Sequence, residues 1–135
     1  MRFSFLGVVF MILLPGCDRA PKRDITMAQA LRVGYMVNND LKYFSVTNRK
    51  EVAAIVAMID VDEFRPNSAS GNDATGIVEF TMPDRLRIRV TFVRPDKLDR
   101  NDGGQYYLKS DRFYKEICRL ATQTEGRIID VLENN

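Results

Sequence analysis

The chain has 135 residues, 45% of them hydrophobic, with 20 basic and 18 acidic side chains and no histidine. A net charge of +2 is not the basic footprint of a nucleic-acid binder. Without imidazole there is no Ser-His-Asp or Cys-His catalysis and no histidine metal site, and Cys17 and Cys118 are too few for a thiolate zinc cage.

The chain opens with one positive charge, Arg2, followed by an apolar run from Phe3 to Leu14. About a dozen apolar residues match the core of a secretory signal and fall short of the roughly 20 needed to span a bilayer. The run closes in Leu14-Pro15-Gly16-Cys17. These four residues resemble the lipobox of bacterial lipoproteins, with leucine first, a small residue third and cysteine last; Pro15 stands where that family usually has Ala, Ser, Thr or Val. The resemblance implies cleavage before Cys17 and a diacylglyceryl group on its sulfur, so that residues 1–16 are a signal peptide and the lipid bilayer is a partner. Asp18 is similar to the inner-membrane retention signal of enteric lipoproteins, which implies the periplasmic face of the inner membrane. The competing reading is an ordinary secretory signal or an uncleaved anchor, in which a Cys17–Cys118 disulfide becomes available. The resemblance covers residues 1–18 and carries no activity.

Residues 18–24 (Asp-Arg-Ala-Pro-Lys-Arg-Asp) form a charged linker after the cysteine. At about 3.5 Å per residue at most, it holds the rest within some 25 Å of the lipid. Residues 25–135 suffice for one domain with its own core. Thr26-Met27-Ala28-Gln29 reads as a weak capping box for a short helix ending near Gly34, while a strand through Ala30–Val37 is the alternative. Asn38-Asn39-Asp40 signals a turn before a strand at Leu41–Val46. Asn48 and Glu51 then cap a helix predicted from Arg49 to Ile59, with Val52, Ile55, Val56 and Ile59 on one face. The acids Asp60, Asp62 and Glu63 do not match a calcium loop, and Arg65–Ala74 reads as polar loop.

A hairpin follows. Val78, Phe80 and Met82 alternate with polar neighbours, as do Leu86, Ile88, Val90 and Phe92 after Pro83-Asp84-Arg85. A three-residue loop keeps like faces together, pairing Val78 with Val90, Phe80 with Ile88 and Met82 with Leu86, and setting Glu79 opposite Arg89. Arg94–Gly104 reads as a second polar loop, and Gln105–Leu108 as a further strand. Ser110 is the expected cap of a second helix, with Phe113, Ile117, Leu120, Ala121 and Thr124 on its face and Gly126 at its end. Ile128–Leu132 is apolar enough to dock, as strand or helix. Cys118 falls within the helical pattern and reads as a small core residue.

Strands and helices in this order predict an α+β fold, a two-layer sandwich with a mainly antiparallel sheet and two amphipathic helices on one face. The other face would carry Glu79, Thr81, Arg87, Arg89, Thr91 and Arg94. Of these, Arg87, Arg89, Thr91 and Arg94 are the candidate binding face, suited to a partner protein or an anionic envelope component through forked hydrogen bonds. A solvated outer face is the plainer alternative. No catalytic or metal-binding residue and no cofactor is identified, and no nucleic-acid partner is expected. The sequence therefore points to a non-catalytic accessory or binding module of the envelope, with a small carboxylate-dependent hydrolase of envelope polymers as the alternative.

Overall fold

In a computed structural model the described residues are 24–66, 75–101 and 103–133; Cys17, Asp18 and the signal segment lie outside them. Seven strands form one antiparallel sheet, accompanied by two helices, an α+β architecture. The strands are β1 Ala30–Val37, β2 Asp40–Val46, β3 Val61–Arg65, β4 Ile77–Thr81, β5 Arg87–Arg94, β6 Lys97–Arg100 and β7 Gln105–Leu108. Their order across the sheet is β2-β1-β4-β5-β6-β7-β3. The helices are α1, Arg49–Val56, and α2, Arg112–Glu125.

The first segment resolves in favour of the strand. Asp24 caps a single 3-10 turn at Ile25–Met27 through the Thr26 N–H, and β1 then runs through the region where the short helix was expected. Leu31, Val33, Tyr35 and Val37 alternate as buried residues, a period of two that a helix cannot use. Asn38 and Asn39 both take positive φ (52° and 64°), which fits the two-residue turn joining β1 to β2.

Asn48 caps α1 as expected, its side chain accepting from the N–H groups of Lys50 and Glu51 at 3.0 and 3.2 Å. The helix ends at Val56 rather than Ile59, because the Met58 and Ile59 N–H groups turn back to the carbonyls three residues earlier. Ile59 is still buried. At α2 the capping position is Asp111, with no side-chain cap bond, and not Ser110. Gly126 ends α2 in the left-handed region at φ 72°. Thr124, expected on the apolar face, is exposed and its hydroxyl donates to the Leu120 carbonyl. Residues 128–132 form neither strand nor helix, yet Ile129 and Val131 are buried there.

The hairpin register is the expected one: Val78 pairs with Val90, Glu79 with Arg89 and Phe80 with Ile88. Arg85 at φ 68° supplies the left-handed residue of the three-residue loop. Leu86, expected in the core, lies beyond the end of β5 and is 51% exposed. Two further strands form: β6 within the loop expected at Arg94–Gly104, and β3 mostly ahead of the loop expected from Arg65. β3 escapes the alternation pattern because a bulge between Val61 and Glu63 shifts its register. β6 has one apolar residue, Leu98, between turn-forming stretches, yet pairs with both β5 and β7.

The core is centred on aromatic rings. Phe113 of α2, fully buried, lies 6.3 Å from Phe80 and 5.5 Å from Phe92, and Tyr114 meets Phe92 edge-on at 5.1 Å. Cys118 is a half-buried free thiol whose pKa is raised by burial.

The end of α2 is tied to β1 and β2 by polar groups. The Tyr35 hydroxyl donates to Glu125 at 2.6 Å, and Lys42 Nζ donates at 3.2 Å. Above all the tyrosine hydrogen bond, and then Lys42, hold the Glu125 carboxyl below its usual pKa. A carboxyl depressed on folding adds stability that is present above the ordinary carboxylate pKa and lost as pH falls through the folded value. Glu125→Gln is therefore expected to lower the urea midpoint at neutral pH. The gap from wild type should close as pH falls below about 4. A gap independent of pH would refute this role for the carboxylate.

Candidate functional site

The candidate residues stand on strands whose alternation sets their direction. Leu31 and Val33 flank Arg32 on β1, Val78 and Phe80 flank Glu79 on β4, and Ile88 and Val90 flank Arg89 on β5, every flanking residue being buried. The three polar side chains therefore share the opposite face of the sheet. Strand register brings them into one cross-strand row, with Arg32 opposite Glu79 and Glu79 opposite Arg89. Arg89 Nη2 donates to Glu79 Oε1 at 2.9 Å, and Arg32 Nη1 lies 3.7 Å from Oε2. The Glu79 side chain is 7% exposed, while Arg32 and Arg89 are 45% and 52% exposed. A nearly buried carboxylate thus anchors two guanidinium groups that reach into solvent.

The neighbours hold this row in place. Tyr43 on β2 sits opposite Gly34, and a Cβ built on Gly34 would lie 2.8 Å from the Tyr43 ring. The missing side chain lets the ring lie across β1, where Arg32 stacks on it with the guanidinium carbon 3.8 Å from the ring centroid. On the other side the Asn101 N–H donates to the Arg89 carbonyl at 3.0 Å, and Asn101 Oδ1 accepts from the Arg89 N–H at 3.1 Å.

Arg87 lies two residues along β5 from Arg89. Its guanidinium is exposed and makes no ion pair or hydrogen bond among the described residues. Arg32, Glu79, Arg87, Arg89 and Asn101 line an open polar cleft of about 360 Å³.

Of the four residues proposed from sequence, Arg87 and Arg89 meet here. Thr91 is half-buried farther along β5, paired with Ile77 and Asp99, and does not line the cleft. Arg94 lies beyond the bulge that follows Phe92 and forms a 3.0 Å ion pair with Asp96, outside the cleft. Sequence reasoning missed Arg32, Tyr43 and Asn101 as members of the site. For Arg32 a signal existed: it is the polar residue between Leu31 and Val33 in the alternative strand reading.

A second cleft, about 380 Å³, opens between the end of β2 and α2, with Phe44, Val46 and Leu120 among its walls. Among the described residues Glu51 is its one carboxylate, as Glu79 is in the first. Neither cleft presents, among the described residues, the two carboxylates of a glycosidase pair. Among the described residues no group of three His, Cys, Asp or Glu side chains is placed to hold a metal ion, and no helix is long and apolar enough to cross a membrane. No family model matches the chain, and no curated protein or solved structure matches it significantly.

Proposed function

We propose that this chain is a lipid-anchored lipoprotein of the bacterial envelope whose exported domain is a non-catalytic binding module. In this reading Cys17 is acylated, Asp18 favours retention at the periplasmic face of the inner membrane, and both amphipathic helices cover one face of the sheet. Phe113 against Phe80 and Phe92, with α1 lying against β1 and α2, supports that layering. The opposite face is then open to a partner, a protein or an anionic envelope component.

The observation that carries the reading is the polar cleft itself: three arginines from two strands converge around one buried glutamate. A merely solvated face needs no nearly buried carboxylate to orient its arginines. The rigid sheet sets their spacing, and an arginine fork recognises a planar or tetrahedral anion with two parallel hydrogen bonds.

Mass spectrometry of the mature N-terminus is expected to show Cys17 carrying lipid, and Cys17→Ser should abolish it. Any other mature end, or an unmodified cysteine, would overturn the anchor. Crosslinking in membranes followed by mass spectrometry is expected to capture a partner in wild type and to capture less with Arg87→Ser. Undiminished capture by that well-folded variant would leave the face as solvated surface.

A further inference from the structure

We infer that the cleft around Glu79 is an oxyanion site, and that the group it takes is a phosphate. This rests on the binding-module reading and narrows it to a ligand chemistry.

Glu79, the only carboxylate lining the cleft among the described residues, has both oxygens turned to arginines, Oε1 to Arg89 and Oε2 to Arg32. Asn101 spends its carbonyl oxygen on the Arg89 N–H, which leaves its Nδ2 as the end available to a ligand. Arg87 has its whole guanidinium fork available. Arg32 and Arg89 each use one nitrogen on Glu79 and keep further N–H groups. The cleft therefore presents donors to its contents, under the combined charge of three arginines and one glutamate.

A cation would meet that charge unfavourably, and a neutral acceptor would leave it uncompensated. A carboxylate can occupy one fork, with its two oxygens in one plane. A phosphate offers three or four oxygens in a tetrahedral array. It can take the Arg87 fork on one edge while another oxygen meets Asn101 Nδ2 or Arg89, so it satisfies donors arriving from β5 and from the turn after β6 together. Glu79 holds Arg32 and Arg89 in place before any ligand arrives, which lowers the ordering cost of binding. Arg87, without a partner among the described residues, is the residue that gains most from an anion.

The same phosphate chemistry could come from a phospholipid headgroup or from a soluble phosphate ester. The full mature chain in neutral detergent micelles, with the arginine Nε–H resonances followed by NMR, separates them. Inorganic phosphate and glycerol phosphate are expected to move the Arg87 signal saturably in the millimolar range. Arg87→Gln should weaken this titration about tenfold or more, as read on the Arg89 and Asn101 side-chain signals. Acetate should bind more weakly than phosphate. If phosphatidylglycerol in the micelle moves the same signals and competes with glycerol phosphate, the source is the headgroup; if it does neither, the site serves soluble esters. No saturable shift with phosphate, or an unchanged titration in Arg87→Gln, would overturn the inference. If crosslinked capture still depends on Arg87 in that event, the oxyanion assignment alone has failed; if capture is independent of Arg87 as well, the binding-module reading falls with it.

Discussion

Replacing Phe113 with alanine is expected to destabilise the protein by about 3–5 kcal/mol. Phe113 is 0% exposed and its ring lies against Phe80 and Phe92, whose strands β4 and β5 are neighbours near the middle of the sheet. Removing the ring forfeits its own transfer free energy and leaves a void where α2 meets both strands. Neither strand can close that void alone, since each is paired on both sides. Urea unfolding of the two proteins measures the effect. A loss below about 1 kcal/mol would mean that α2 does not pack on β4 and β5 in this way.

Arg89→Ser is expected to cost about 1–3 kcal/mol, whereas Arg87→Ser, one strand period away, should move stability by about 0.5 kcal/mol or less. Sequence puts both arginines on the polar side of β5, with Glu79 opposite Arg89, as an exposed pair of little worth. The structure separates them. Arg89 is hydrogen-bonded to a carboxylate that is 7% exposed, and its loss leaves Glu79 with Arg32 at 3.7 Å. Arg87 has no such obligation. Arg89 is itself 52% exposed, so solvent screens part of the pair and the cost stays below that of breaking a fully buried one. The contrast should shrink in a Glu79→Gln background, where no buried charge is left to compensate. Equal effects of the two substitutions would refute the organising role given to Glu79. The same contrast explains why Arg87 is the cleaner probe of binding: a double change of Arg87 and Arg89 mixes lost contacts with lost structure.

How far the fold was legible varied with how local its cause was. The β4–β5 hairpin register could be read, Leu86 apart, because only one loop length keeps Val78, Phe80, Ile88 and Val90 on a common face. The α1 cap was equally plain, since Asn48 bonds the N–H groups of the next turn. β3 was not legible, because its bulge breaks the alternation that would have announced it. β6 was hidden for a different reason: with one apolar side chain it is held by β5 and β7, partners outside its own segment. Residues 128–132 show that an apolar stretch can dock without regular structure. There Ile129 and Val131 are buried, while the Ile129 N–H is satisfied by the Thr122 hydroxyl.

By itself the sequence determined that Val78 and Phe80 of β4, Ile88, Val90 and Phe92 of β5, and Phe113, Ile117, Leu120 and Ala121 of α2 belong to the core, because those directions follow from backbone period alone. It also placed Arg87 and Arg89 on the polar side of one strand. Only the tertiary structure decided that Arg32, distant in the chain, stands across Glu79 from Arg89, and that Asn101 closes the same cleft. It also decided that Thr91 and Arg94 stand apart, and that Glu79, expected on a solvated face, is nearly buried. The physical reason is that charge partnership depends on distance across strands, and the order β2-β1-β4-β5-β6-β7-β3 is set by which elements cover one another, a property no local pattern carries.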